Sequence, residues 1–287
     1  MNYDLLKTIE ERMFCFSKGQ KLIANYVLEN YEKAAYLTAA KLGGIVGVSE
    51  STVVRFAIEL GYDGYPAFQQ SLRKIIRNRL TAAQRVEVTN NIIGDGNVLD
   101  KVLLSDAEKI RRTMEEIDHD SFETAIDRIA TARRIYLLGM RGSAPLAAFL
   151  NHGLRLICDN VKFVQTNSGS EMFEEITHIG AEDVMIAISF PRYSKRVVNA
   201  VEYAKGKGAN IVALTDSATS PIAKNADELL IAQSDMAAFM DSLVAPLGVI
   251  NAMIVALSRK KQDELTARLY ELEEVWDQYD VYDTKRK

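Results

Sequence analysis

Residues 38–60 read TAAKLGGIVGVSESTVVRFAIEL, and this stretch decides how the front of the chain folds. Leu42 and Val46 stand four apart, on one face of a first helix predicted over roughly 38–46. Gly47 can enter a left-handed turn at no steric cost. Val48 fills the gap between two helices, and Ser49 is a good N-cap for the second. Over 49–60, Val53, Phe56, Ala57 and Leu60 form one apolar stripe. Ser51, Thr52 and Arg55 are then left on the opposite face. Two small hydroxyls and an arginine near a helix N-terminus are what entry into a major groove requires. The backbone N–H groups at that end can also hold a phosphate. The pattern reads as a helix-turn-helix with Ser49, Ser51, Thr52 and Arg55 facing DNA. A plain helical hairpin with a solvated polar face is the bland alternative.

Outward from this motif the front of the chain stays helical. Ser17-Lys18-Gly19-Gln20 is a capping box, and Leu22, Ile23, Tyr26, Val27 and Tyr31 follow at helical spacing. Downstream, Gly61-Tyr62-Asp63-Gly64-Tyr65-Pro66 closes the second helix with glycine and opens another, predicted to about residue 80, with proline at its front. Arg73, Lys74, Arg77 and Arg79 form a basic cluster on it, and Arg73 and Lys74 are assigned to the DNA backbone. No convincing strand appears before residue 80. Residues 1–80 hold 11 Lys/Arg against 8 Asp/Glu, a net of +3, whereas the rest of the chain carries a net of −7. A mildly basic front on an acidic body fits DNA contact confined to one end. The expected division is a helix-turn-helix domain over 1–80, a linker over 81–106 marked by Gly94-Asp95-Gly96-Asn97, and a second domain over 107–287. A polar helix near 98–117 leads into that domain.

From residue 133 the rhythm changes. Ile135–Leu138, Val161–Gln165, Val184–Ser189, Ile211–Thr215 and Leu229–Ala232 are short apolar runs, with helical patterns between them. Continuous rather than alternating apolar runs are expected when both faces of a strand are covered. The fold class is therefore an all-α helix-turn-helix domain followed by an α/β domain with a doubly wound, five-stranded parallel sheet. Two of its turns are suited to anions. Ile135–Leu138 runs into Gly139-Met140-Arg141-Gly142-Ser143-Ala144-Pro145 and a helix. Val184–Ser189 runs into Phe190-Pro191-Arg192-Tyr193-Ser194 and another. Ligands of open parallel sheets bind outside the carboxyl ends of strands, where helix N-termini favour negative charge. A dinucleotide site fits poorly. The glycines do not follow G-x-G-x-x-G, and Asp159, 20 residues after Gly139, precedes the second strand instead of ending it.

Isomerase chemistry would need a base and an acid beside a sugar carbonyl. Glu171, Glu174, Glu175 and His178 are the candidates, read as one helix, and E-x-x-H also occurs at Glu116…His119. Solvated helix faces are the better reading, so no catalytic and no metal residues are assigned. His152 is expected to be packed among apolar neighbours.

SESTVVRFAIELGYDGYPAFQQSL, residues 49–72, resembles the signature of the RpiR/MurR family of bacterial sugar-metabolism regulators. The resemblance extends over the whole chain, because that family joins its helix-turn-helix to a sugar isomerase (SIS) domain. It implies that Ser143, Ser189 and Ser194 are phosphate-binding hydroxyls, with Arg141 and Gly142 in the flanking loop and Arg192 available to the ligand. The family's S-x-S-G-x-T string stands here as Ser189-Phe190-Pro191-Arg192-Tyr193-Ser194, so proline and arginine replace a serine and the glycine. That variant points to sensing more than to catalysis. A second departure is Gly43-Gly44 in the first helix of the motif, where the family usually shows alanine at the first position. The resemblance implies a transcription regulator whose operator affinity is controlled by a phosphorylated sugar, an amino-sugar or hexose phosphate. A phosphosugar isomerase with an accessory helical domain is the alternative. Operator DNA, the phosphosugar effector and a second copy, as homodimer or homotetramer, are the expected partners, with no cofactor.

Composition sets the remaining bounds. Apolar residues make up 48% and charged ones 26%, which excludes a disordered chain. Cys15 and Cys158 lie far apart in apolar surroundings, which fits a reduced compartment. The N-terminus has no apolar signal-peptide core. The longest uncharged run, Ser242–Ser258, is short for a membrane span and contains Pro246 and Asn251. It reads as a buried helix of a cytoplasmic protein with no membrane contact.

Overall fold

The computed structural model describes residues 5–77, 81, 83–86, 89, 96–166, 168–235 and 240–282, the side chains of 74–77 excepted. The chain divides into two compact units, Met1–Val102 with Met236–Asp241, and Leu103–Asp235 with Ser242–Lys287.

The first unit carries the helices α1 (Leu5–Glu11), α2 (Lys18–Glu29), α3 (Tyr31–Ala34), α4 (Ala39–Val46), α5 (Glu50–Glu59) and α6 (Tyr65–Arg77). The Ser17–Gln20 capping box forms, with the Gln20 N–H donating to Ser17 Oγ and the Ser17 N–H to Gln20 Oε1. Leu42, Val53, Phe56 and Ala57 are fully buried. Phe56 is the hub of the core, edge-on to Phe16 at 5.1 Å and to Phe68 at 5.7 Å. Such aromatic pairs add to the burial of their own area. Tyr65 roots α6 by donating its hydroxyl to the Leu37 carbonyl at 2.7 Å. Burial pushes that hydroxyl up to about 12, the nearby Arg73 acting against the shift.

The second unit begins with α7 (Val98–Glu116), whose first residues the division leaves in the first unit, and α8 (His119–Thr131). Five strands follow: β1 (Ile135–Gly139), β2 (Val161–Val164), β3 (Val184–Ile188), β4 (Asn210–Thr215) and β5 (Glu228–Ile231). All neighbours pair in parallel, in the order β2-β1-β3-β4-β5. Each strand lies within one or two residues of its predicted run. Between them run α9 (Ala144–Ile157), α10 (Gly169–Ile176) and α11 (Lys195–Gly206), and after them α12 (Val244–Lys260) and α13 (Gln262–Gln278). Alternate strand residues feed two cores. Ile135, Leu137, Ile186, Val212 and Leu214 pack with residues of α8, α9 and α12. Tyr136, Leu138, Met185, Ala187 and Ile211 pack with residues of α10 and α11. Both faces of the sheet are therefore covered, which is why the strands show no polar alternation.

Several expectations need correction. Cys158 is buried but Cys15 is exposed, because it sits in the turn after α1 and not in the core. His152 is exposed, since it occupies the outer face of α9 while Leu150 and Leu154 face inward. Glu175 and His178 do not share a helix, because α10 ends at Ile176; Glu116 ends α7 and His119 starts α8. Among the described residues no group of three or more His, Cys, Asp or Glu could hold a metal. No helix there is long and apolar enough to cross a membrane.

Candidate functional site

The strand order reverses between β1 and β3, so the loops leaving these two strands diverge around a crevice. That is where open α/β sheets hold ligands. A cleft of about 560 Å³ opens there, floored by Gly139, Met140 and Ala144 from the first loop and edged by Val164, Gln165 and Thr166 after β2. Gly139 is what lets the first loop turn so tightly. A Cβ on it would lie 2.8 Å from both the Ala147 Cβ and the Ser143 carbonyl oxygen, so only glycine lets α9 approach the strand. Gly142 faces open space, and its lack of a side chain is not needed for that packing.

Arg141, Arg192, Lys195 and Arg196 line the cleft together with Tyr193 and Ser194, and among the described residues no carboxylate lines it. All four basic residues are exposed. Two of them, Arg141 at φ 56° and Arg192 at φ 60°, hold the left-handed backbone that side chains disfavour. Arg192 stands where the resembling family has glycine, and it keeps a glycine-like conformation. Such backbone persists only where neighbours over-determine it, and here β4 and Asp216 just after it supply the anchors. The Ser189 N–H donates to the Leu214 carbonyl, Thr215 Oγ1 donates to the Ser189 carbonyl at 2.7 Å, and the Tyr193 hydroxyl donates to Asp216 at 2.8 Å.

The sequence-assigned residues are divided by this geometry. Arg141, Arg192 and Ser194 reach the cleft wall. Ser143 and Ser189 lie beneath it, 5% and 2% exposed. Ser143 stands at the N-cap of α9 and Ser194 at that of α11, yet neither side chain caps its helix. Lys195 and Arg196 were not expected. Their signal was present: cations in the first turn of a helix oppose its dipole, and α11 has two there and no acid. Of the carboxylates weighed for isomerisation, Glu171 comes nearest to the cleft, accepting a hydrogen bond from the lining residue Thr166 at 2.5 Å. A second cleft, near the amino ends of β3 and β4, has its charges matched within the protein. There Arg133 makes two bonds to Asp183, and Arg128 pairs with Glu228.

In the first unit the motif closes as its pattern predicts. Gly47 takes φ 74° and Ser49 caps α5, its Oγ accepting from the Thr52 N–H and lying 2.9 Å from both Ser51 Oγ and Thr52 Oγ1. Ser49, Ser51 and Arg55 are exposed, and Thr52 is half-buried. The Arg55 guanidinium folds back on Ser51, donating to its carbonyl at 3.3 Å and its hydroxyl at 3.4 Å. Arg73 is held within the domain: it donates to the Ala35 carbonyl at 2.8 Å and to Gln69, and sits over the Tyr36 ring. The side chain of Lys74 lies outside the described residues.

Residues 3–79 match the model of the helix-turn-helix domain of the rpiR family, and residues 128–256 match that of the SIS domain. An uncharacterized HTH-type transcriptional regulator of Caldanaerobacter subterraneus is 26% identical, over 95% of this chain and 96% of its own length. The HTH-type transcriptional regulator HexR of Pseudomonas aeruginosa is 22% identical, over 94% and 95%. Among solved structures, the Vibrio vulnificus NanR protein complexed with ManNAc-6P superimposes with a TM-score of 0.60. It is 23% identical, covering 98% of this chain and 100% of that one. The sugar isomerase domain of an RpiR transcription factor from Sphaerobacter thermophilus gives 0.58 at 29% identity, covering 61% of this chain and 97% of that domain.

Proposed function

The chain belongs to the RpiR family of helix-turn-helix transcriptional regulators that carry a SIS domain, and from that premise we propose that a phosphorylated sugar bound in the cleft controls its affinity for operator DNA. The observation that carries this reading is the cleft wall itself: four basic side chains, no acid among the described residues, and the first turns of two helices, α9 and α11, around one space. A phosphate dianion is the ligand such a wall suits. Arg141, Arg192 and Ser194 meet the phosphoryl oxygens from the side. Gly142 contributes through its backbone, while Ser143 and Ser189 support the two turns from below and reach the ligand only if the loops shift. Lys195 and Arg196 add charge. An amino-sugar or hexose phosphate fits a space of about 560 Å³, and the N-acetylmannosamine phosphate in the NanR complex is one member of that class to try. We assign residues 1–80 to DNA, 81–106 to the linker and 107–287 to effector binding and self-association.

Regulation then requires the ligand to bind two states of the protein unequally. A coupling of about 1–3 kcal/mol changes operator affinity roughly 5- to 150-fold. The test is a thermal-shift screen of sugar phosphates, their unphosphorylated parents and inorganic phosphate. A binder present at about 100 times its dissociation constant stabilises the native state by about 2.7 kcal/mol. A phosphosugar should raise Tm where its parent sugar does not, and it should change the operator titration. If none shifts Tm, or if a sugar phosphate is turned over, the sensing reading fails. Turnover would favour an isomerase, with Glu171 as the first carboxylate to replace.

At the other end, Arg55→Ala should weaken operator binding by roughly tenfold, because a guanidinium contact to a base or phosphate is lost. The loss is moderated because Arg55 first has to leave Ser51. Thermal stability should be unchanged for this exposed residue. Unaltered operator affinity in a titration removes Arg55 from the interface. Arg73→Ala is the useful contrast. It should lower Tm through loss of the Ala35 bond and the Tyr36 contact, whatever it does to DNA.

A further inference from the structure

Two apolar side chains share the outward face of α5 with Ser51 and Arg55. Val53, Phe56, Ala57 and Leu60 are buried along one side of this stretch. Opposite them, at about 100° per residue, Ser51, Arg55 and Ile58 fall within an arc of about 60°, and Val54 widens it to about 100°. Ile58 is 55% exposed and Val54 is half-buried. An isoleucine therefore points as directly away from the core as Ser51 does. Exposed apolar surface continuous with a polar contact face marks an interaction site.

The hydroxyls beside them are engaged with one another. Ser49 Oγ accepts from the Thr52 N–H and lies 2.9 Å from both Ser51 Oγ and Thr52 Oγ1. Thr52 turns its methyl group toward α2, where a Cβ on Gly19 would lie 3.3 Å from Thr52 Cγ2. Ser51 also accepts from Arg55, through its carbonyl and its hydroxyl. Once Arg55 swings out, the surface left for a groove is one guanidinium beside the methyl groups of Ile58 and Val54. In the major groove every base pair shows donors and acceptors, and among the four bases thymine alone adds a methyl group. An isoleucine can bury its surface on that methyl group. Laid on other base edges, it would take polar atoms out of water without a hydrogen bond in return.

We propose that Ile58, with Val54 beside it, is a specificity-determining residue that selects thymine through its 5-methyl group, next to the base pair contacted by Arg55. The inference rests on the assignment of α5 to operator DNA. Ile58 stands three residues beyond Arg55, a rise of about 4.5 Å. With α5 along the groove, the two side chains serve base pairs one or two steps of about 3.4 Å apart. Guanine is the commonest specific partner of arginine. An operator half-site should therefore carry thymine one or two base pairs from a guanine.

The test uses the full chain and a duplex that it enriches from a random pool. The duplex is made again with uracil for every thymine, which removes only the 5-methyl groups, and again with 5-bromouracil, whose bromine refills their space. Uracil should weaken wild-type binding about fourfold for each methyl group covered, the worth of one such group buried. Bromouracil should restore it. Ile58→Ala should bind the thymine duplex less tightly and discriminate thymine from uracil less than the wild type does, whereas loss of a merely structural residue would weaken both duplexes alike. Ile58 is exposed, so Tm should be unchanged. The comparison of duplexes on the wild type needs no variant and stands if Ile58→Ala fails to fold. Equal wild-type affinity for the thymine and uracil duplexes overturns the proposal and leaves the DNA assignment intact. So does an Ile58→Ala variant that keeps the full thymine preference. If no duplex is enriched, the assignment of α5 to DNA falls, and this inference falls with it.

Discussion

Replacing Arg141 and Arg192 together by alanine should weaken sugar-phosphate binding roughly 100- to 10,000-fold. Each guanidinium supplies hydrogen bonds to a charged group worth about 1.5–3 kcal/mol, and about 1.4 kcal/mol is one decade. Lys195 and Arg196 remain, so inorganic anions should still bind weakly. The backbone makes the prediction sharper. Both arginines sit at left-handed φ, 56° and 60°, a conformation that costs a side chain about 1–2 kcal/mol relative to glycine. Arg192→Gly should therefore be more stable than Arg192→Ala by about 1 kcal/mol, once the greater freedom of glycine in the unfolded chain is set against it. Both variants should lose the ligand alike. A binding residue held in a strained backbone produces this separation of stability from affinity. An arginine there for packing would lose both together. Calorimetric titration and denaturant unfolding on the same two proteins decide the matter. Undiminished affinity in Arg141→Ala/Arg192→Ala would remove the phosphate from this cleft.

What could be read from the residues alone was set by periodicity. The strands were legible because each is an apolar run closed by turn residues, and Val184–Ile188 and Ile135–Gly139 carry no polar position to confuse the pattern. The motif was legible because Gly47 and Ser49 each have one strong local reason to be where they are. The direction in which a side chain points was less legible. Ser143 and Ser189 have the right chemistry at the right turns, yet they lie below the cleft, because the turn places Arg141 and Arg192 outward in their stead. Nothing in the local pattern shows that two arginines adopt positive φ. The contribution of Lys195 and Arg196 was visible only as a violation of helix-dipole preference. Arg73 was read as a surface cation, whereas the Ala35 carbonyl and the Tyr36 ring hold it; a contact 38 residues back along the chain leaves no periodic trace. The polar inward face of α7 was hidden for the same reason. Its partners, Gln233 and Ser242, come from more than a hundred residues downstream.

The neighbouring glycines of α4 should respond in opposite directions to the same substitution. Gly44 is exposed and a Cβ there meets nothing, so Gly44→Ala should stabilise the first unit by about 1 kcal/mol, the ordinary difference between the two residues in a helix. At Gly43 a Cβ would lie 2.7 Å from the Val48 carbonyl oxygen and 3.4 Å from the Glu50 N–H nitrogen. Those are backbone atoms of the turn and of the first residue of α5, so no side chain can swing aside to make room. The Gly43 carbonyl also accepts the N–H groups of both Gly47 and Val48, which ties the turn to this residue from the other direction. Gly43→Ala should then cost about 1–3 kcal/mol as the turn is pushed outward. Because α5 carries the residues proposed to meet DNA and moves with the turn, operator affinity should fall as well, even though Gly43 is not one of them. Two adjacent variants differing by about 2–4 kcal/mol in denaturant unfolding would locate the close crossing of α4 and the turn at one carbon atom. Equal stability of the two would mean that the turn is free to yield. The spacing between α4 and α5 would then be set elsewhere, by Leu42 and Val53 in the core.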